Sequence, residues 1–497
     1  MSLALPALDQ DTLSRRASIA AALGAIVGAD SLIASAEGLK PFESDGLTAY
    51  RQPPMLAVLP QTREQVAGVL RYCCEHSVRV VPRGSGTSLS GGALPLGDAV
   101  LLVMSKFSRI LQIDYENRLA VVEPGVTNLA ITRAVEARGL YYAPDPSSQI
   151  ACSIGGNVAE NSGGVHCLKY GLTTNTVLGV EMILMTGETV RFGGGALDSA
   201  GYDLLGLVVG SEGLLGVVTE VTVRLLPAPE AARALLIGFP SVESAGQCVA
   251  DIIGAGVIPA GMEMMDRNAV VAAEAFIGAG YPTDVAALLI VEVDGPEAEC
   301  GHLAELIESL SLANDATTFR TSRNEAERIA FWAGRKAAFP AVGRLAPDYY
   351  CMDGTIPRGR LPQVLARIEA LSAEYGLGVA NVFHAGDGNL HPLILYDANA
   401  PGQLDKAEAM GSDILRLCVE VGGVLTGEHG VGVEKRELMP SMFDDVDLDY
   451  QARVKSAFDP KGLLNPGKVF PLLHRCAEEG RVHVHGGATR FPDLPRF

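Results

Sequence analysis

The sequence predicts an α+β protein of two or three domains, and three observations carry that prediction. The chain has 497 residues, enough for more than one hydrophobic core. Three glycine-rich segments follow one another in the first half, among strand-like and helical runs. After Pro227-Ala-Pro229 the pattern changes to strand-like runs alternating with longer helical ones.

Composition removes several function classes. A hydrophobic fraction of 48% with 20% charged residues is that of an ordinary globular enzyme. The net charge of −19 argues against nucleic acid and against an electrostatic hold on anionic lipid. A local basic pocket for a small anion is still compatible with it. The nine cysteines are scattered with no Cys-x-x-Cys pair, so the chain carries neither a zinc ribbon nor an iron–sulfur run. They read as reduced, mostly buried thiols of a cytoplasmic protein.

Within residues 1–50, Ser14-Arg-Arg16 precedes an uncharged run from Ala17 to Ala29 that faintly resembles a twin-arginine export signal. The run is well short of the about 20 residues that span a bilayer. Asp30 and Glu37 follow without a clear cleavage site, so an alanine-rich helix is expected, and no other run approaches membrane-spanning length.

Residues 51–229 form the next unit. Leu56–Leu59 reads as a strand. Thr62-x-x-Gln65 is a capping box opening a helix with Val66, Val69, Leu70 and Cys73 on one face. Val78–Val81 is the next strand, leading into Pro82-Arg-Gly-Ser-Gly-Thr-Ser-Leu-Ser-Gly-Gly92. Such a loop can aim many backbone N–H groups at one anion. It is neither common phosphate motif: Leu89 takes the third glycine position of Gly-x-Gly-x-x-Gly, and no Gly-Lys-Ser/Thr follows. The second glycine-rich segment runs Ala143-Pro-Asp-Pro-Ser-Ser-Gln149, then Ser153-Ile-Gly-Gly-Asn-Val-Ala-Glu-Asn-Ser-Gly-Gly164. The third is Gly210-Ser-Glu-Gly-Leu-Leu-Gly216, entering the strand Val217–Arg224. Together they suggest backbone lining a long, flat, polar ligand, with Asn157 and Asn161 offering donors and acceptors.

Residues 230–425 read as a cap of sheet and helices. Strands are expected near Ala234–Phe239, Gly261–Met265, Ala287–Val293 and Thr317–Arg320, and helices near Ser241–Ile253 and Glu297–Leu310. Phe331-Trp-Ala-Gly-Arg-Lys336 places Arg335 and Lys336 beside the only tryptophan. It is either a clamp for a carboxylate, which the planar guanidinium matches, or a solvated helix face. Asn381-Val-Phe-His-Ala-Gly-Asp-Gly-Asn-Leu-His391 sets His384 and His391 around a tight turn, and Gly427-Glu-His-Gly430 adds Glu428 and His429. Two imidazoles and a carboxylate suit a divalent metal with open positions, leaving His429 free to move a proton. His76, His302, His474, His483 and His485 have no such setting. Residues 426–497 form the last segment.

Arg83-Gly-Ser-Gly-Thr, Pro144-Asp-Pro-Ser-Ser, Gly155-Gly-Asn-Val-Ala-Glu-Asn and Gly210-Ser-Glu-Gly-Leu-Leu-Gly resemble the FAD-binding segments of vanillyl-alcohol-oxidase type flavoproteins. The resemblance implies a two-lobed FAD-binding domain, a cap with an antiparallel sheet, and a C-terminal segment returning to the flavin. It implies FAD contacts from Arg83, from Gly84, Ser85, Gly86, Thr87 and Ser88 at the pyrophosphate, and from Pro144, Ser148, Gly155, Gly156, Asn157, Asn161, Gly213 and Val217 along the flavin and adenosine. The first loop lacks the histidine that tethers flavin in parts of this superfamily, so non-covalent FAD is expected, with His166 the nearest alternative tether.

Phe383-His-Ala-Gly-Asp-Gly-Asn-Leu-His391, Gly427-Glu-His-Gly430 and Phe458-Asp-Pro-Lys-Gly-Leu-Leu-Asn-Pro-Gly467 are similar to the FAD-linked D-2-hydroxy-acid dehydrogenases. That branch implies His384, His391 and Glu428 as ligands of zinc or manganese, His429 as catalytic base, Asn389 near the flavin, and Arg335 on the substrate carboxylate. Tyr141–Cys152, Val165–Gly171, Phe331–Lys336, Asp348–Pro357 and the tail from His474 narrow the resemblance to glycolate-oxidising members. Phe339 and Cys351 stand where the hydroxyglutarate enzymes carry partners for a second carboxylate, so a small monocarboxylate such as glycolate or D-lactate is expected. The resemblance also implies a second flavin-domain subunit and an iron–sulfur subunit passing electrons to quinone. It puts the chain at the inner membrane through those partners and not by insertion. Two rivals are a metal-dependent hydrolase using His384, His391 and Glu428, which leaves the glycine-rich segments unexplained, and a flavin-carrying subunit without catalysis, which leaves Arg335 idle.

Overall fold

A computed structural model describes residues 4–196 and 201–472. The expectations for His474, His483, His485 and the tail therefore lie outside the described residues.

The N-terminal segment is built into the first lobe. Helix Arg16–Val27 buries Ile19, Leu23 and Val27 against helix Arg63–Glu75, whose Val66, Val69, Leu70 and Cys73 are fully buried. The spacing of those four residues is one face of a 3.6-residue period. The capping box is half formed. Thr62 Oγ1 accepts from Gln65 N at 3.3 Å, but Gln65 Oε1 accepts from Gln61 N at 2.7 Å, one residue outside the cap. Both helices cover a four-stranded sheet in the order Leu32–Ile33, Leu56–Val58, Val100–Val103, Val80–Arg83, of which the last three strands are parallel. No helix among the described residues is long and apolar enough to cross a membrane.

The second lobe is a five-stranded antiparallel sheet, ordered Ile110–Asp114, Leu119–Val122, Val217–Arg224, Val177–Ile183, Thr189–Gly193. Strand Val217–Arg224 alternates buried and half-buried residues along its length, the mark of a sheet with one covered face. Helix Ile154–Glu160, capped by Ser153, packs on it and carries Gly155, Gly156 and Asn157 to the junction of the lobes.

The cap centres on an antiparallel sheet ordered Thr318–Thr321, Ala231–Phe239, Ala287–Gly295, Gly261–Asp266, Val379–His384, Asn389–Leu390, Gly354–Thr355. Asp348–Cys351 and Pro392–Tyr396 extend it beside Val379–His384. Helices Val242–Gly254, Glu297–Ala313 and Leu361–Tyr375 bury one face and Arg267–Ile277 and Glu325–Lys336 the other. The central strands are buried on both faces, so they read as continuous apolar runs, and an acid inside one is conspicuous.

The C-terminal segment returns to the first lobes. Val80 bridges Leu464, and Asn465 donates to Gly92 O at 3.1 Å and Glu212 O at 2.8 Å. Lys455 is buried and donates to Leu214 O, Asp459 and Leu464 O.

Candidate functional site

The sheet register assembles the site. Strand Val379–His384 turns through Gly388, which adopts φ 82° and donates to His384 O at 3.1 Å, so that Asn389 pairs with His384. The neighbouring strand sets Glu263 beside His384. Thr355 pairs with Asn389 on one side and bridges Val424 on the other, which delivers the Gly427–Gly430 loop to the two histidines.

Glu428 Oε1 lies 3.1 Å from Nε2 of both His384 and His391. The ligand atoms of these three residues all fall within 4.8 Å of one another. The opposite nitrogen of each ring is engaged behind: His384 Nδ1 is 2.6 Å from Glu263 Oε1 and His391 Nδ1 is 3.2 Å from Met352 O. Both Nε2 atoms are thereby turned to one point, which is how protein sites hold imidazoles for a divalent cation. Burial disfavours charge on Glu428, yet His384 and His391 outweigh it and hold the carboxyl well below its usual range. Burial lowers the His384 pKa, but Glu263 and Glu428 outweigh it and the net direction is upward, so these carboxylates attract positive charge. A second trio, Cys351, His391 and His429, is also within ligand spacing. Burial pushes the Cys351 thiol well up, which works against a thiolate ligand.

The loop that carries His429 is organised by Asp353, a fully buried acid. Asp353 accepts from the backbone N–H of Gly427 at 3.0–3.1 Å, Glu428 at 3.2 Å and His429 at 2.9 Å, and from Thr426 Oγ1 and Lys435 Nζ. The His429 ring stacks on His391, centroids 4.9 Å apart. Its Nδ1 sits 4.0 Å from Asp353 with no hydrogen-bond partner among the described residues. Burial lowers its pKa to about 4; Asp353 opposes, while His391 and Lys435 reinforce the depression. His429 is therefore a neutral imidazole at neutral pH. From the other side, Glu212 accepts from Val431 N and Gly432 N at 2.7 Å each. Gly430 has φ 82°, and a Cβ there would run into Glu160 and Glu212.

One cleft of about 410 Å³ joins this centre to the glycine-rich segments. Arg83, Gly84, Ser85, Gly86, Thr87 and Ser88 line one end, Ser148, Gly155, Gly156, Asn157, Gly213 and Val217 line its walls, and Arg335, Lys336, Phe339, His384, His391, Glu428 and His429 line the other end. Among the described residues the backbone N–H groups of Ser85, Gly86, Thr87 and Ser88 find no protein acceptor. Glu160, also lining the cleft, keeps a buried carboxyl oxygen without a partner. Four unsatisfied donors on one loop fit a pyrophosphate, and the cleft leading from that loop along the glycine-rich walls fits a dinucleotide.

Three expected cofactor residues stand apart from the cleft lining. Pro144 O accepts from Asn128 Nδ2, Asn161 adopts φ 53° at the end of its helix and accepts from Thr174 N, and Asn389 packs beneath Gly427. Glu263, Asp353, Glu212 and Glu160 escaped the sequence reading. Glu263 had a legible signal, an acid within the apolar strand Gly261-Met-Glu-Met-Met265.

His166 lies outside the cleft lining and links the glycine-rich unit to the cap. Its Nδ1 is 2.8 Å from Asp145 and its Nε2 3.3 Å from Glu292, which also binds Arg328 and Trp332 Nε1. Burial lowers the His166 pKa, but the two acids outweigh it and raise it to about 10. Burial likewise raises Glu292, and His166 and Arg328 bring it down to about 2. A raised histidine stabilises fully below its unfolded pKa of about 6.5 and loses that contribution as pH rises through the folded value. A lowered carboxyl stabilises above about 4.5 and loses it on acidification. Melting temperature is therefore expected to peak between about pH 4.5 and 6.5 and to decline toward pH 10. His166→Asn should flatten the alkaline side, a contribution on the order of a few kcal/mol. An unchanged alkaline slope in that variant would remove His166 as the titrating group.

Comparison with known proteins completes the description. Residues 54–193 match the family described as FAD binding domain, and residues 228–469 match FAD linked oxidases, C-terminal domain. The chain is 57% identical over 494 residues to glycolate oxidase subunit GlcD of Escherichia coli (strain K12), covering 99% of this chain and 98% of that one. It is 39% identical to glycolate oxidase subunit GlcD of Bacillus subtilis (strain 168), covering 90% and 95%. It is 33% identical to D-lactate dehydrogenase of Anaerostipes hadrus, covering 86% and 92%. In fold it is similar to 4-ethylphenol oxidase from Gulosibacter chungangensis, TM-score 0.79 at 18% identity, covering 94% and 98%.

Proposed function

This chain belongs to the FAD-linked oxidases, and from that membership we propose that it oxidises glycolate to glyoxylate, with D-lactate as its second substrate. It is an FAD-dependent 2-hydroxy-acid dehydrogenase of the same branch as those relatives. The observation that carries the proposal is the single cleft, with unsatisfied loop amides at one end and Arg335 beside His384, His391, Glu428 and His429 at the other.

The chain's own residues divide the work. Arg335 is buried, its Nε engaged by Glu263, and its two terminal nitrogens meet no protein acceptor among the described residues. That free fork suits a substrate carboxylate. His429, neutral and confined between His391 and the Asp353-fixed loop, takes the hydroxyl proton. Bound FAD supplies the acceptor for the hydrogen and electron pair leaving C2. A zinc or manganese ion held by His384, His391 and Glu428 would acidify the hydroxyl. Phe339 lines the substrate end edge-on to His391 and favours a short acid without a second carboxylate. Non-covalent FAD is supported by His166, whose two ring nitrogens are both taken by acids. Electrons are proposed to leave through a second flavin-domain subunit and an iron–sulfur subunit to quinone, with the chain peripheral at the inner membrane through them. The similarity to a protein named as a subunit supports that arrangement.

Anaerobic addition of glycolate to the yellow, metal-replete protein should bleach its visible flavin band, with D-lactate bleaching it more slowly. A band that survives every 2-hydroxy acid would reject the assignment. Arg335→Lys keeps the charge but loses the fork, and is expected to raise KM for glycolate about tenfold or more, as for loss of a charge-assisted bond. An unchanged KM would place the carboxylate elsewhere.

A further inference from the structure

We propose that Glu263 is the positioning residue that ties the carboxylate clamp to the metal-ligand histidine. The inference rests on the proposed roles of Arg335 and His384 and deepens them. Glu263 is 1% exposed and sits between Met262 and Met264 in strand Gly261–Asp266. One oxygen, Oε1, is 2.6 Å from His384 Nδ1, and the other, Oε2, is 2.7 Å from Arg335 Nε. Strand pairing fixes the first contact, because Glu263 and His384 are register partners. The second reaches helix Glu325–Lys336, on which Arg335 occupies the last turn.

The geometry has two effects. Accepting from Nδ1 assigns the His384 proton to that nitrogen and leaves Nε2, 3.1 Å from Glu428, as the ligand atom. Accepting from Nε of Arg335 occupies the side-on donor and leaves both terminal nitrogens for an end-on, two-pronged grip. A single carboxylate therefore sets the spacing between the group that would hold the substrate's acid end and the ligand beside its hydroxyl end. Only an ionised carboxylate can accept from both. Glutamine must present an N–H₂ to one of the two donors, and aspartate is one methylene too short to span them.

The test measures binding as well as turnover. Glu263→Gln and Glu263→Asp would be purified as holoproteins, with FAD content read from the visible spectrum. Zinc and manganese affinity would be measured by chelator competition and oxalate affinity by titration of the flavin band. Both variants should keep FAD, lose metal affinity by about 10- to 100-fold, and bind oxalate correspondingly more weakly. His384→Ala is the control for the underlying reading. If His384→Ala loses metal while Glu263→Gln retains parental affinity for metal and oxalate, Glu263 has no positioning role. If His384→Ala also retains metal, the ligand assignment itself fails. Should either Glu263 variant not fold, the unaltered holoprotein labelled with ¹⁵N-histidine decides: a proton on His384 Nδ1 is expected, and one on Nε2 would overturn the proposal.

Discussion

His429→Ala is expected to slow flavin reduction by glycolate about 10²- to 10⁴-fold while FAD remains bound, the range for loss of a positioned base. Stopped-flow reduction without oxygen measures this step apart from reoxidation. His429 follows Glu428, the acid proposed as a metal ligand, and its ring is packed against His391 outside the trio of His384, His391 and Glu428. Its removal should therefore leave metal content at the parental level, whereas His384→Ala should lower it. Near-parental reduction in His429→Ala would transfer the proton to another acceptor and end the assignment. The depressed pKa of about 4 adds a sign to the prediction. Because the neutral ring is the active form, reduction should fall only as the medium becomes acid enough to protonate it.

Asp353→Ala is expected to be the most damaging change to stability near the site. Asp353 and Lys435 are both fully enclosed, 3.0 Å apart, and removing Asp353 leaves the buried Lys435 ammonium with only Glu434, 3.6 Å away, as an ion-pair partner. That costs about 3–5 kcal/mol. The same substitution frees the backbone N–H groups of Glu428 and His429 and the Thr426 hydroxyl, so turnover should collapse along with stability. The double variant Asp353→Ala, Lys435→Met separates the two effects: melting temperature should recover in part while turnover does not. If the single variant melts like the parent, the loop is held by something other than this acid.

Much of this arrangement could be read from the residues in order. The strands Ala234–Phe239 and Ala287–Val293 and the helices from Ser241 and Glu297 appear within one to three residues of their expected limits. Their local signals, Ser241 as cap and the apolar runs, agree with the tertiary structure. His384, His391, Glu428 and His429 stood out because Gly386 and Gly388 lie between the first two, Gly427 and Gly430 bracket the others, and their residue types are chemically loaded. The acids that hold these groups were not. Glu263 contacts His384 across strands 121 positions apart, and Asp353 reaches the loop from 73 to 76 positions away. Such pairings come from sheet register, which no local pattern encodes. Asn161 also has a backbone role that the sequence did not announce: it turns left-handed at φ 53° to end helix Ile154–Glu160.

Glu212 and Asp353 together have a consequence for how molecules enter and leave. The base loop is fastened to the flavin-side lobe at Val431 and Gly432 and to the cap at Gly427–His429. Swinging the cap away would break at least the two bonds to Glu212, each about 1.5–3 kcal/mol for a charged acceptor. An open form would then be present in roughly one molecule in a hundred to one in ten thousand. Traffic of acid and product should accordingly pass through a standing mouth, with no gate to pace it. Hydrogen exchange can check this. The amides of Val431 and Gly432 should be equally slow with and without oxalate, and faster exchange in the free enzyme would reveal a moving cap.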